Sequence, residues 1–187
     1  QAYCTSDGYV GDGSAGGMHF RGHAVVLAML DALRAKGMGA SGNSTLLFSG
    51  CSAGGRGVMH NLNRAAALAK SYGVARFVAL IDSGLYIDLD PLPESAVPPL
   101  RVQAQGVVSY LHASVDPACA AAFPATEAWK CLIGEYAVPT LAAPFVLNAF
   151  QADRWQLGQT AFGSYVGKTK LEIRANAAES SYAETWR

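Results

Sequence analysis

The residues with the clearest chemical capacity are Gly50-Cys51-Ser52-Ala53-Gly54-Gly55. They contain G-x-S-x-G, which between a strand and a helix forms a nucleophile elbow. Such a turn holds its serine in a strained backbone conformation, so the flanking residues must be small. Gly50 and Gly54 would let the strand and helix pass close together. The N-terminus of the helix would offer the backbone N–H of Ala53 to a developing oxyanion. A Gly-rich turn carrying an ordinary serine is the competing interpretation, and a strand-helix context favours the elbow.

A triad of this kind runs in the order Ser, then Asp or Glu, then His. Asp82 and Asp153 each follow a candidate strand. Topology favours Asp153 as the acid, with Asp82 structural, capping the turn at Ser83-Gly84. The base is the difficulty. All four histidines, His19, His23, His60 and His112, precede Asp153. Each reads as a surface or packing residue, so a hydrolase built on Ser52 needs a histidine from outside these 187 residues.

Apolar spacing shows which elements must position these groups. Residues 1–17, rich in Gly, Ser and Asp, read as a loop. Residues 20–36 have the spacing of an amphipathic helix ended by Gly37. Residues 45–49 read as a buried strand, 50–57 as a Gly-rich turn and 58–72 as a helix stopped by Gly73. A second strand over 76–81 closes at Asp82-Ser83-Gly84. A Pro-rich connection over 91–99, a helix over 101–113 and a third strand over 144–149, ending near Asp153, complete the pattern. Continuous apolar strands alternating with helices imply an α/β fold, a mostly parallel sheet with helices on both faces. Sites in such sheets form beyond the C-terminal strand ends, here residues 50–54, 82–84 and 151–155.

Composition excludes several classes. With 51% apolar and 15% charged residues the chain is not of disordered type. Fourteen basic against 14 acidic side chains argue against nucleic acid as a partner. No apolar run approaches the roughly 18 residues of a membrane span. The length of 187 residues suits one domain or part of one.

Four cysteines, Cys4, Cys51, Cys119 and Cys131, include no C-x-x-C pair, which removes a zinc ribbon or thioredoxin motif. Cys119 and Cys131 bracket a short loop that suits a local disulfide. Asn43-Ser44-Thr45 is an N-glycosylation sequon. Together these features favour a secreted or lumenal protein over a cytosolic one with free thiols.

Several segments together resemble the pectin acetylesterase / Notum carboxylesterase family. They are Tyr3 to Asp7 with Gly11-Asp12, Phe20-Arg21-Gly22, Leu47 to Gly55 (LFSGCSAGG), Asp82-Ser83-Gly84 and Phe145 to Gln156 (FVLNAFQADRWQ). The resemblance implies a secreted serine esterase of α/β-hydrolase fold that needs no cofactor and no metal. Ser52 maps to the family nucleophile and Asp153 to its acid. The substrate would be an acylated polysaccharide, with O-acetyl groups removed as from pectin, or an acylated protein, as for Notum. The family's Gly-Gly-Gly-Trp oxyanion segment and its histidine have no counterpart here. Residues 1–187 therefore read as the central part of one α/β-hydrolase domain, completed by the rest of the same protein or by a companion chain. A non-catalytic structural or interaction subunit is the rival, against which the retention of both Ser52 and Asp153 speaks. Tyr9, Met18, Tyr86 and Phe150 are candidates to line a substrate cleft.

Overall fold

A computed structural model describes residues 5–91, 95, 97–150 and 153–158. Cys4 lies outside the described residues, as do residues 92–94 and 96 of the Pro-rich connection.

The chain enters through a small antiparallel hairpin, β1 (Gly13–Ala15) and β2 (Met18–Phe20), where a loop is expected. Gly16 and Gly17 form its turn with φ of 57° and 75°. Positive φ at both central residues is what a tight right-twisting hairpin turn demands. Helix α1 (Gly22–Ala35) follows, with Val26 and Leu30 buried. The buried Asp7 carboxylate accepts from the N–H groups of Gly22 (2.7 Å) and Tyr9 (3.0 Å), placing a negative group at the positive end of α1.

Three parallel strands, β3 (Thr45–Cys51), β4 (Arg76–Asp82) and β5 (Phe145–Asn148), lie in the order β3-β4-β5. Helix α2 (Ala53–Ser71) makes the crossover between β3 and β4. It begins directly after Ser52 rather than at residue 58, because Gly55 and Gly57, read as part of a loop, serve inside the helix where a Cβ would lie 2.5 Å from the Asp82 carbonyl oxygen and 2.4 Å from the Tyr9 ring. The register aligns Cys51 with Asp82 and Asp82 with Asn148, so the three strands end level.

One face of this sheet forms the main core, with Phe48, Ala79 and Ile81 packed against Val26, Leu30, Met59, Leu62 and Ala65 of α1 and α2. Leu47, Val78 and Val146, on the other face, are exposed among the described residues. Helix α3 (Leu100–Leu111) ends at His112, which is left-handed with φ 49°. Together with Val10, Tyr86, Leu132 and Ile133, this helix builds a second core. The segment beneath it contains α4 (Pro117–Ala120), a 3₁₀ stretch Ala125–Leu132 and α5 (Gly134–Ala137). The expected Cys119–Cys131 disulfide ties this segment, with a Cα–Cα distance of 5.8 Å. The short turn α6 (Arg154–Gln156) follows β5. No helix among the described residues is long and apolar enough to cross a membrane.

Candidate active site

Ser52 sits between the last residue of β3 and the first of α2, with φ 55° and ψ −117°. A non-glycine residue pays conformational strain there and stays only when its surroundings hold it. Two backbone bonds do so. The Ser52 N–H donates to the Asp82 carbonyl (2.9 Å), and the Ser52 carbonyl accepts from the Arg56 N–H (3.0 Å). The Ser52 side chain caps nothing on α2 and is exposed. Its hydroxyl is therefore not committed to the helix it precedes. Ala53 opens α2, so its N–H belongs to the end where backbone donors lack intrahelical partners.

The tight turn depends on two glycines. A Cβ on Gly50 would lie 2.3 Å from the Gly54 carbonyl oxygen, and one on Gly55 would lie 2.5 Å from the Asp82 carbonyl oxygen. A Cβ on Gly54 would meet nothing within 4 Å. The close approach expected at Gly50 and Gly54 thus requires Gly50 and Gly55. Gly54 contributes its backbone to the contact, not its missing side chain.

Asp82 joins the three strand ends. Its Oδ1 accepts from Asn148 Nδ2 of β5 (2.7 Å) and Ser83 Oγ (3.1 Å). The hydrogen bonds from Asn148, the Cys51 thiol and Ser83 hold its carboxyl below the usual carboxylate range. The same contact with Asp82 raises the thiol of Cys51, which is free and exposed. Asp82 therefore does more than cap the Ser83-Gly84 turn.

Asp153 is half-buried and opens the turn after β5. Its Oδ1 accepts from the Gln156 N–H (2.7 Å) and its carbonyl from the Leu157 N–H (2.9 Å). Gln156 is fully buried, with its amide accepting from the Ile87 N–H (3.2 Å) and donating to the Ile87 carbonyl. That pair pins the Asp153 turn to the segment leaving β4. Between the two sits Tyr86. Its ring lies 5.1 Å from that of Trp155, and the Arg56 guanidinium stands over it at 5.2 Å. Burial raises the Tyr86 phenol, the Ser52 hydroxyl and then the Arg56 charge oppose that rise, and the Asp153 charge adds to it. The Tyr86 ring thus lies between Arg56 of the elbow helix and Trp155 of the Asp153 turn. Sequence reasoning left Arg56, Trp155 and Gln156 without roles. The Trp155-Gln156 pair beside Asp153 was the signal available.

The histidines are engaged elsewhere. His23 Nδ1 pairs with Asn61 Oδ1 (2.9 Å), whose amide donates to the carbonyls of Tyr9 and Gly57. His19 Nδ1 pairs with Ser14 Oγ on the hairpin, and His112 ends α3. His60 is buried and neither ring nitrogen has a hydrogen-bond partner. No hydrogen bond among the described residues links any histidine to Ser52 or Asp153.

A cavity of about 540 Å³ runs along β3 to the elbow. Val26, Met29, Leu30, Phe48 and Val58 give it apolar walls, and Ser52, Ala53 and Gly54 also line it. Of the expected cleft residues, Tyr9 lines this cavity and is buried, Tyr86 borders Ser52, and Met18 and Phe150 are exposed. Asn43 is exposed in the loop before β3.

Comparison with known proteins agrees with this architecture. A family described as Pectinacetylesterase matches residues 2–185. Palmitoleoyl-protein carboxylesterase NOTUM of Homo sapiens is 29% identical over 166 residues, covering 83% of this chain and 33% of that protein. The Mus musculus protein of the same name is 30% identical, covering 83% of this chain and 32% of that protein. The solved structure of the Wnt deacylase Notum from Drosophila superposes with a TM-score of 0.82 at 25% identity, covering 98% of this chain and 52% of that one. The chain thus spans about a third of the length of the curated relatives it matches.

Proposed function

The chain belongs to the pectinacetylesterase family, and from that premise we propose that the protein is a secreted serine carboxylesterase that removes O-acetyl groups from a polysaccharide. The observation that carries this reading is the strained Ser52 at φ 55°, at the mouth of α2 with a side chain that makes no capping bond to the helix. Ser52 Oγ attacks the ester carbonyl while its proton passes to a histidine outside residues 1–187. Asp153 orients that histidine and stabilises its cation. The Ala53 N–H donates to the tetrahedral oxyanion, one such donor contributing on the order of 3 kcal/mol. Collapse expels the alcohol with the proton returned by the histidine, and water cleaves the acyl-enzyme by the same steps. Secretion is supported by the disulfide and by the exposed Asn43 sequon.

The test is hydrolysis of a short acyl ester by the full-length protein. Ser52→Ala should abolish turnover without unfolding, since the Ser52 side chain makes no capping bond. Asp153→Asn keeps the acceptor for the Gln156 N–H yet should lower kcat by about four orders of magnitude. Undiminished activity of Ser52→Ala would sink the assignment. A non-catalytic protein would instead leave Ser52 unlabelled by a fluorophosphonate probe.

A second reading, a protein deacylase, is favoured by the apolar cavity beside Ser52 and by the names of the relatives. It predicts that kcat/KM rises with acyl chain length, where the acetylesterase reading predicts a fall.

A further inference from the structure

Among the described residues three aromatic side chains are exposed, Tyr110, Phe150 and Trp155, and the last two bracket Asp153 beyond the end of β5. Trp155 is firmly mounted. Gln156, the next residue, is fully buried and bonds to both the N–H and the carbonyl of Ile87. The Asp153 carboxylate accepts from the Gln156 N–H at 2.7 Å. Leu157, 3% exposed, donates its N–H to the Asp153 carbonyl at 2.9 Å. The indole itself rests on the buried Tyr86 ring at 5.1 Å with a 51° tilt, and the Arg56 guanidinium stands over that ring in turn. A turn pinned in this way still leaves Trp155 41% exposed. An indole already fixed by its backbone and by one neighbouring ring loses little freedom when a ligand covers the rest of it.

From this placement we infer that Trp155 is a specificity-determining residue, its exposed indole stacking on a pyranose ring of the chain that carries the acyl group. The inference rests on the polysaccharide reading proposed above. An ester has an acyl end and an alcohol end. The cavity lined by Ser52 gives the acyl end a place, and Trp155 is not among its walls. The indole, two residues after Asp153, is left for the alcohol end. The face of an aromatic ring is negative, and the C–H groups on one face of a pyranose are apolar with a partial positive charge. The two surfaces therefore attract and release water from both as they stack. No bond forms or breaks at Trp155, so the residue acts on which alcohol is bound and not on the chemical steps.

The test compares the full-length wild type with Trp155→Leu and Trp155→Phe. Leucine keeps an apolar cover on Tyr86 and removes the flat ring, and phenylalanine keeps a smaller flat ring. kcat/KM is measured on acetylated pectin and xylan oligosaccharides and on triacetin, an acetyl ester without a sugar ring. Calorimetry gives the Kd of the deacetylated oligosaccharides, which cannot turn over. The ratio of oligosaccharide to triacetin kcat/KM should fall about tenfold in Trp155→Leu and about threefold in Trp155→Phe, with Kd rising by similar factors. A wild-type ratio and Kd in folded Trp155→Leu overturn the role of Trp155 while leaving the polysaccharide esterase in place. Should Trp155→Leu fail to fold, an unchanged ratio and Kd in Trp155→Phe overturn it equally. Turnover of triacetin by the wild type, with neither turnover nor binding of the oligosaccharides, overturns the polysaccharide reading and this inference with it.

Discussion

His60 gives the fold a defined sensitivity to acid. It lies on α2, one turn after Arg56, with both ring nitrogens buried and unpartnered. Burial first, and then the Arg56 charge, lower its pKa to about 3 from 6.5, with a weaker opposing influence from the Cys131 backbone. A lowered folded pKa means that the unfolded chain takes up the proton first. Stability is therefore complete above pH 6.5 and is lost progressively as pH falls from 6.5 toward 3. At about 1.4 kcal/mol per unit, the loss reaches about 2 kcal/mol between pH 7 and pH 5 and about 4 kcal/mol at pH 3. His60→Leu removes both the proton site and two unsatisfied buried nitrogens. It should gain about 1 kcal/mol at pH 7 and about 3 kcal/mol at pH 5. Urea unfolding of the full-length protein and the variant at both pH values, followed by tryptophan fluorescence, reads the difference directly, because other titrating groups are common to both. Parallel losses in the two proteins would refute the reasoning.

Two further substitutions test the fold around the site. Gly55→Ala drives a methyl into the Asp82 carbonyl and the Gly84 Cα, both backbone. The backbone clash should outweigh the helix-propensity gain and cost about 2 kcal/mol in urea unfolding. The same carbonyl holds the Ser52 N–H, so kcat/KM should fall further than stability alone explains. Wild-type kcat/KM in this variant would show that the carbonyl does not set the elbow. Replacing Cys119 and Cys131 together by serine opens a loop of 12-residue separation and should remove about 3 kcal/mol. Ester hydrolysis well below the lowered Tm should survive, since the bridge lies in the second core. Loss of turnover in the still-folded variant would place that segment in the active site.

The parallel order and the strand positions were legible because strands buried within a sheet read as unbroken apolar runs such as Phe77 to Ile81. The start of α2 was not. Gly54, Gly55 and Gly57 are poor helix formers, and single-residue propensity extended the loop past them. Gly55 and Gly57 are needed there by close approach to the Asp82 carbonyl and the Tyr9 ring, contacts that no local pattern reveals. The hairpin at Gly13–Phe20 was missed for a related reason, its strands being three residues each and its apolar content too small to register. Within the candidate site, the spacing of small residues marked Ser52. The array of Arg56, Tyr86 and Trp155 draws on three separate segments and exists only once the chain has folded.

Asp82 and Asp153 compete for the role of acid, and their environments differ in kind. The Asp82 carboxylate meets Asn148, Ser83 and Cys51, one neighbour from each strand end, and all three favour its charge. A group so engaged serves to lock β3, β4 and β5 at the level of the elbow. Asp153 opens a turn that Gln156 pins from below, and its charge reaches Tyr86 beside Ser52. The two roles separate on substitution by asparagine. In Asp82→Asn the amide oxygen can still accept from Asn148 Nδ2 and the backbone bond from Ser52 is untouched. That variant should lose about 1 to 2 kcal/mol of stability, as expected for weakened charge-assisted hydrogen bonds. Its kcat should stay within about tenfold of wild type, against the roughly 10⁴-fold loss expected of Asp153→Asn. Comparable losses of kcat in both variants, each still folded by near-ultraviolet circular dichroism, would move the acid from Asp153 to the strand ends.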